Sequence, residues 1–368
     1  MIPPLHIGVS LTRRSGSAQH FSYLIWIVAL SAAFFTLFHP AYAPVCRLAD
    51  FILSEPLSST GLSLLASAGN ELALVLAFLS GPGLYIVLSL AVAVALAVVY
   101  GFTLGWRRVA VKDVDLGFSD LPAGFDGFRI VQISDLHIGT YRRDPRVAER
   151  IVEKINSLDP DLVVFTGDLV NSSPDEVVPF ADVLSRIKSR SGVVSVLGNH
   201  DYCVYRRYEN RRQQVEAINR LKKLQTERLG WRLLLNENMT LRRGSDGITI
   251  VGVENAGKGL VDHADLRRAM RGVDSDGFTI VLSHDPTHWR GEILGSTRAQ
   301  LTLSGHTHAM QFRIGRLSPS RLLFKEWSGV YNEGERKLHV NPGTGSNVPF
   351  RLGAWAEINL ITLRKTGA

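Results

Sequence analysis

An abrupt change in charge near residue 106 constrains the fold of this chain more than any other feature. From residue 21 to residue 106 the charged side chains are only Arg47, Asp50, Glu55 and Glu71, and charge becomes dense from residue 107 onward. A segment this poor in charge is typical of a membrane region. We therefore divide the chain into a basic N-terminal segment (1–20), a membrane region (21–106), a linker (107–123) and a water-soluble domain (124–368).

Two uncharged runs within the membrane region are long enough to cross a bilayer as helices. The first covers 21–38 and the second, which is longer and more apolar, covers 84–104. A third run, 62–79, carries Asn70 and Glu71 at its middle. Because a carboxylate at the bilayer centre costs roughly 2.5–3.5 kcal/mol, we interpret 62–79 as an interfacial or weakly spanning segment.

The basic residues that flank the two spans predict their orientation. Arg13 and Arg14 precede the first span, and Arg107, Arg108 and Lys112 follow the second. Two crossings place both flanks, and so the C-terminal domain, in the cytoplasm. A cleaved signal peptide is a competing interpretation, because "TRRSGSAQHF" is similar to a twin-arginine signal and "AYA" at 41–43 to a cleavage site. The run 84–104 anchors the protein in either case.

Composition narrows the classes of partner. The net charge of +7 and the pI near 9.5 favour acidic partners such as anionic lipid, phosphorylated compounds or nucleic acid. The two cysteines, Cys46 and Cys203, are too few for a disulfide framework. Cys203 lies next to a histidine motif, but we expect it to be a small buried residue rather than a ligand.

The soluble domain alternates short apolar strands with helical segments. We predict helices at 145–158 and about 175–190, and strands at 128–134, 161–168, 192–199, 247–253, 278–283, 300–304, 336–341 and 356–363. Short apolar strands separated by helices indicate an α/β domain whose sheet is covered on both faces.

Polar side chains recur where these strands end. The motifs are "SDLHIG", "TGDLV", "LGNHD", "VLSHDP" and "LSGHTH", which carry Asp135, His137, Asp168, Asn199, His200, Asp201, His284, His306 and His308. The carboxyl ends of strands are where α/β sheets place ligands, so these side chains are expected to converge in one cleft. Carboxylate and imidazole groups suit Mn, Fe, Zn or similar divalent ions. Two such ions about 3.5–4 Å apart can clamp a phosphoryl group.

The ordered set Asp-x-His, Gly-Asp, Gly-Asn-His-Asp, His and Gly-His-x-His resembles the calcineurin-like metallophosphoesterase superfamily over residues 124–365. The resemblance implies a four-layer αββα sandwich that holds two divalent ions, with Mn²⁺ first and Fe or Zn as alternatives. It places Asp135, His137 and His308 on one ion, Asn199, His284 and His306 on the other, and Asp168 between them. It implies a metal-bridging hydroxide as the attacking group.

The same resemblance gives roles to two further residues. His200 is expected to stabilise the transition state or protonate the leaving group, with Asp201 orienting it. For Asp201, helix capping alone is an equal alternative.

The flanks of the domain resemble a membrane-associated bacterial branch of that superfamily more loosely. "FDGFRIVQISDLHIG" and "VPFRLGAWAEINLITL" carry this likeness, which points to small phosphodiesterases and to enzymes that cleave UDP-2,3-diacylglucosamine. Members commonly read Gly-His-Thr-His-Gly-Gly-Gln, whereas this chain has Ala309 and Met310 before Gln311. It also reads "NPGTG" at 341–345 in place of a more basic stretch. Both departures leave the predicted metal ligands in place.

A basic segment, 205–231, follows the Gly-Asn-His-Asp motif. Its hydrophobic residues recur at near-helical spacing, so it is expected either to lie on anionic headgroups or bind a phosphorylated lipid, or to be a solvated helix that covers the sheet. Four arginines near the motifs are candidates for contacting substrate phosphate: Arg142, Arg143, Arg206 and Arg207.

The sequence thus predicts a metal-dependent phosphoesterase of the bacterial inner membrane, with its domain in the cytoplasm. Its expected substrate is a phosphodiester or pyrophosphate, and a lipid-linked compound such as UDP-2,3-diacylglucosamine is one candidate. A non-catalytic module that binds lipid or phosphate on the same fold is the alternative, as is a generic nucleotide phosphodiesterase. The membrane spans, and the lack of interleaved aromatic and basic residues, disfavour a nucleic-acid substrate.

Overall fold

The computed structural model describes residues 82–142, 144–257 and 261–367. The predicted span 21–38 and the segment 62–79 lie outside the described residues, as does Arg143.

The first described element is an apolar helix. Helix α1 (Pro82–Thr103) coincides with the predicted span 84–104. Among the described residues it is the one helix long and apolar enough to cross a membrane. Leu96 and Val99 on this helix are 64% and 58% exposed. A helix that leaves such residues uncovered is better matched to lipid than to water.

A compact unit begins at Ala95, within α1, and its strands form two sheets. The strands are β1 (Val109–Phe118), β2 (Arg129–Ile133), β3 (Leu162–Phe165), β4 (Val193–Ser195), β5 (Arg232–Leu233), β6 (Glu237–Arg243), β7 (Asp246–Gly252), β8 (Phe278–Leu282), β9 (Leu301–Ser304), β10 (Gly329–Glu333), β11 (Arg336–Val340) and β12 (Ala356–Lys365). The first sheet has the order β1-β12-β2-β3-β4-β5 and the second β10-β11-β9-β8-β7-β6. The middle of each sheet is parallel: β2, β3 and β4 in one, and β7, β8 and β9 in the other.

Helices cover the outer face of each sheet. The elements are α2 (Arg146–Ser157), α3 (Ala181–Leu184), α4 (Arg211–Lys223), α5 (Leu266–Ala269) and α6 (Leu294–Ser296). Ile151 of α2 and Leu221 of α4 join the core outside the first sheet, and Leu266 of α5 joins the core outside the second. Between the sheets, Val164 and Val194 of the first share a core with Ile250, Ile280 and Leu301 of the second. The predicted four-layer αββα fold is confirmed.

Some elements differ from the sequence expectations. The segment expected to be a linker, 107–123, contains β1, which pairs in parallel with β12 along its whole length. Its sequence, "VAVKDVDLGF", carries three charges because most of its side chains remain partly or fully exposed. The strands β5, β6 and β10 were also not predicted. The helix expected at 175–190 is reduced to α3, because Pro179 cannot continue a helix that starts before it.

Candidate metal centre

The candidate ligands all follow strands whose carboxyl ends lie at one edge of the two sheets. Asp135 and His137 follow β2, Asp168 follows β3, and Asn199 follows β4, all in the first sheet. His284 follows β8, and His306 and His308 follow β9, in the second sheet. The two sheets therefore bring these side chains together: Asp135, His137 and His308 form one cluster and Asp168, His284 and His306 another, while His137 and Asp168 also group with His200. Asn199 lies beside His306.

The first cluster consists of Asp135, His137 and His308. The Nε2 atoms of His137 and His308 lie 3.0 Å apart, and His308 Nε2 lies 3.3 Å from Asp135 Oδ1. All three side chains are buried. Three potential ligand atoms thus converge on a space of atomic size.

The second cluster consists of Asp168, His284 and His306. His284 Nε2 lies 3.2 Å from Asp168 Oδ2 and 3.2 Å from His306 Nδ1. The amide oxygen of Asn199 lies 3.0 Å from the same His306 Nδ1. This donor set of carboxylate, amide oxygen and two imidazoles suits a divalent ion of intermediate hardness.

Asp168 lies between the two clusters. The oxygen that approaches His284, Oδ2, is also 3.6 Å from His137 Nε2 of the first cluster. Its other oxygen, Oδ1, accepts a hydrogen bond of 2.8 Å from the backbone amide of His200. One carboxylate oxygen is therefore within reach of both potential ion positions.

The backbone at these positions is held in an unusual conformation. Five of the seven candidate ligands have φ between 43° and 74°: Asp135, His137, Asp168, His306 and His308. This left-handed region is uncommon for residues other than glycine, and clusters of it occur at functional sites. Ala309 and Met310 continue the left-handed run after His308, with φ of 49° and 45°. Glycine adopts that conformation without strain. Ala309 and Met310, which stand where Gly-Gly is usual, therefore add backbone strain beside the cluster.

Glycines make room for the carboxylates. A methyl group on Gly198 would lie 2.2 Å from Asp168 Oδ1, and one on Gly305 would lie 2.4 Å from Asp135 Oδ2. Gly198 has extended backbone, with φ of −100°. Glycine is therefore needed at position 198 because a side chain would not fit, and not because the backbone is left-handed.

Burial and close charges shift the pKa values of the cluster in opposite directions. Burial raises the pKa of Asp135 to about 6 and lowers the pKa of His137 to about 3. For His284, burial acts against the charged form, but the carboxylates of Asp168 and Asp135 raise its pKa to about 10. Burial also opposes ionisation of Asp168, and the neighbouring histidines nevertheless hold its pKa well below the usual range. The carboxylates of Asp135 and Asp168 thus favour a positive charge on His284.

The histidine geometry fits divalent ions. His284 donates its Nδ1 hydrogen to the backbone oxygen of Thr166 at 2.7 Å. This bond directs Nε2 toward Asp168, and a second partner of this kind is how proteins orient an imidazole that binds metal.

His200 and Asp201 occupy different environments. The Nδ1 of His200 lies 2.7 Å from the backbone oxygen of Asn171, so the Asn171 carbonyl, rather than Asp201, orients the His200 ring. The carboxylate of Asp201 accepts hydrogen bonds from four backbone amides, those of Gly198, Asp168, Leu169 and Val170. Burial, followed by the charge of Asp168, raises the pKa of Asp201 to about 7. Asp201 therefore positions the Asp168 loop, which agrees with its capping interpretation.

Three contributors to the site were not found from the sequence. One is the Asn171 carbonyl, a backbone group that has no side-chain signature. Tyr205 stacks on His200 with ring centroids 4.1 Å apart, and its hydroxyl accepts a 2.9 Å hydrogen bond from Asn199 Nδ2. Arg351 is fully buried, and its Nη2 lies 3.2 Å from His308 Nδ1. A lone arginine in the apolar "VPFRLGAW" was the available signal for Arg351.

The candidate phosphate-binding arginines are placed unevenly. Arg206 donates to Ser173 Oγ at 2.7 Å and pairs with Asp175. Arg207 and Arg142 are exposed, and Arg143 lies outside the described residues.

The basic segment 205–231 forms a covering helix. Its Arg220 and Arg228 pair with Asp175 and Asp182, while Leu221 and Gln225 are fully buried. Five of its eight basic residues form ion pairs, and its buried side chains are those expected of a helix that covers the sheet.

Comparison with known proteins agrees with this geometry. Residues 128–310 match the family model of the calcineurin-like phosphoesterases. A transmembrane protein with a metallophosphoesterase domain from Danio rerio is 30% identical over 78% of this chain and 64% of its own length. Its counterpart in Bos taurus is 30% identical over 69% of this chain and 57% of its own length. The uncharacterized metallophosphoesterase YkuE of Bacillus subtilis is 29% identical over 67% of this chain and 82% of its own length.

The chain belongs to the calcineurin-like metallophosphoesterase superfamily. It spans only 57–64% of the length of the two vertebrate relatives.

Proposed function

We propose that this superfamily member hydrolyses a phosphodiester or pyrophosphate bond with two divalent metal ions. The position of Asp168 carries the proposal. A single oxygen of its carboxylate lies 3.2 Å from a histidine of one cluster and 3.6 Å from a histidine of the other. A shared carboxylate between two clusters of imidazole ligands supports a two-ion centre.

In this proposal each residue has a defined task. Asp135, His137 and His308 would hold one ion, Asn199, His284 and His306 would hold the other, and Asp168 would serve both. When bound, the two ions supply Lewis acidity to a phosphoryl oxygen and lower the pKa of water. His200 keeps Nδ1 on the Asn171 carbonyl, which leaves Nε2 to hold a phosphoryl oxygen or to pass a proton to the leaving group. Asp201 and Arg351 position ligands without touching substrate.

We also propose that α1 anchors the domain in the bacterial inner membrane. The length and apolar character of α1, together with relatives named as transmembrane proteins, support membrane attachment. The basic residues after α1 favour a cytoplasmic domain. A lipid-linked substrate such as UDP-2,3-diacylglucosamine is the finer part of the proposal.

The test is hydrolysis of bis(p-nitrophenyl) phosphate by the full-length protein in detergent with added Mn²⁺. Asp168→Asn is expected to reduce the rate by about 10³-fold or more, because it removes a charge from both ion positions. Asp182→Asn is the matched control, since the Asp182 side chain is 95% exposed and its one ion pair among the described residues is with Arg228. This control is expected to retain the wild-type rate.

Two results separate the alternatives. Wild-type protein that binds Mn²⁺ but gives no hydrolysis of either this diester or UDP-2,3-diacylglucosamine would favour the non-catalytic module. Equal rates for the wild type and Asp168→Asn would refute the two-ion mechanism. Release of UMP from UDP-2,3-diacylglucosamine tests the lipid-linked substrate separately.

A further inference from the structure

A loop beside the metal centre exposes an unusual set of apolar side chains. We call residues 312–325, "FRIGRLSPSRLLFK", the flanking loop. Ile314, Leu317, Leu322 and Leu323 are 66%, 66%, 88% and 69% exposed. In the described chain after residue 104, eight large apolar residues are exposed, and four of them lie between residues 314 and 323; the other four are 40–56% exposed and scattered. A concentration of this kind marks a surface that another phase or molecule covers.

Hydrogen bonds hold the flanking loop in this shape. The backbones of Ile314 and Leu317 exchange two hydrogen bonds of 2.9 Å. Ser318 Oγ donates to the Ala309 carbonyl at 2.8 Å and accepts from the Ser320 amide at 3.1 Å, which starts the helical turn that carries Leu322. The apolar side chains are thus presented outward by an ordered backbone.

The flanking loop begins and ends at the metal centre. It starts directly after Gln311, three residues beyond His308. At its other end the ring of Phe324 contacts the ring of His306 edge-on, with centroids 5.6 Å apart. Whatever covers the loop is therefore adjacent to the proposed ions.

The loop is also joined to the last turns of α1 through a single short segment. The amide of Arg313 donates to the Leu352 carbonyl at 2.9 Å. In the same segment the Arg351 amide donates to the Gly101 carbonyl at 3.3 Å, and the ring of Phe350 packs on Phe102 at 4.8 Å. The start of the flanking loop is thus linked, through residues 350–352, to the end of the helix that we assign to the membrane.

The charge of the flanking loop selects among possible partners. It contains four basic residues, Arg313, Arg316, Arg321 and Lys325, and no acidic residue. In the part of the chain that the structure describes, none of these four forms an ion pair. Exposed leucines interleaved with unpaired cations are typical of a segment that lies in the headgroup region of an anionic bilayer.

We infer that the flanking loop inserts into the surface of the membrane that α1 occupies and presents the metal centre to a phosphate ester of an amphiphile in that surface. This inference rests on the proposed membrane attachment and hydrolysis. It gives the substrate a class, a phosphorylated lipid that is reached from within the bilayer interface, and it gives Leu322 and Leu323 a role in docking.

The test places an environment-sensitive NBD label at single positions of the full-length Cys46→Ser protein, in nanodiscs of phosphatidylcholine and phosphatidylglycerol. Leu322→Cys reports the flanking loop and Leu96→Cys reports α1. Val178→Cys, an apolar residue that is 52% exposed elsewhere on the domain, is the matched control. Lipid that carries a nitroxide near the headgroup end of its acyl chain is expected to quench the fluorescence of the label at 322 by about half, because an interfacial segment lies at that depth. The fluorescence of the label at 178 is expected to stay unchanged. Arg316→Glu with Arg321→Glu should weaken the quenching at 322.

The outcomes distinguish this inference from the proposed function. Quenching at 96 without quenching at 322 would overturn the docking inference and leave membrane attachment intact. No quenching at either position would overturn both. A blue shift at 322 without quenching by lipid would show that a protein surface covers the loop, and equal quenching at 178 would show that the loop is not a selective contact. Hydrolysis of bis(p-nitrophenyl) phosphate is measured on the same samples and reports the metal centre independently.

Discussion

One added methyl group at Gly198 should disable the metal centre. In Gly198→Ala the new Cβ lies 2.2 Å from Asp168 Oδ1 and 2.7 Å from His284 Cε1, whereas ordinary contact begins at 3.4 Å. The Asp168 carboxylate must therefore retreat by about 1.2 Å. Metal–ligand distances tolerate only about 0.2 Å, and a misplacement of about 1 Å costs on the order of 100-fold in rate. Overpacking of this kind also costs about 1–3 kcal/mol of stability.

The assay compares hydrolysis of bis(p-nitrophenyl) phosphate with bound Mn²⁺ per chain and with the thermal midpoint. Gly198→Ala is expected to lose at least about 100-fold in rate and to retain less metal. Gly295→Ala is the matched control, because a methyl group there meets nothing within 4 Å. A Gly198→Ala protein with the rate and metal content of Gly295→Ala would show that the Asp168 carboxylate does not depend on the space beside Gly198.

Two further predictions concern buried groups that support the fold around the centre. Burial, and then the charge of Lys112, lowers the pKa of His339 to about 4. Below about pH 6.5 the unfolded chain therefore binds more protons at His339 than the folded chain does, so the free energy of unfolding falls with acidification. By pH 5 His339 should account for about 2 kcal/mol of that fall. Urea titrations of His339→Gln should show a flatter dependence between pH 7 and 5, and curves parallel to the wild type would contradict the assignment. In Asp201→Asn the new side-chain NH₂ group faces backbone amides that in the wild type donate to the carboxylate. The free energy of unfolding, measured in urea, should therefore fall by about 1–3 kcal/mol. An unchanged urea midpoint would contradict the role of Asp201 in holding the Asp168 loop.

The sequence predicted the parts of the fold that repeat a strong local pattern. Strands such as β3 and β8 are continuous apolar runs, and their polar motifs mark the carboxyl ends. The candidate ligands that these motifs carry lie together at one edge, because the parallel strands of each sheet end there. What the sequence did not reveal is β1, because its partner, β12, lies more than 200 residues away in the chain and no local pattern marks that pairing.

The site contained features that only the folded geometry defines. Asp201 bonds to backbone amides, which the motif "GNHD" does not distinguish from an orienting contact to His200. The run of left-handed residues from His308 to Gln311 explains in physical terms why glycines are usual after the second histidine. The exposure of Leu322 likewise depends on how the folded chain packs around it, which the local sequence does not determine.

The most direct test of the central claim is the number of divalent ions bound per chain. Purified full-length protein loaded with Mn²⁺ and freed of excess metal would be measured by mass spectrometry of its metal content, for the wild type and for Asp168→Asn. We expect about two ions per wild-type chain and a clear loss of bound metal in the variant, in parallel with the loss of hydrolysis. Wild-type protein that hydrolyses the diester with no bound divalent metal, or an Asp168→Asn protein that keeps both ions and full activity, would contradict it.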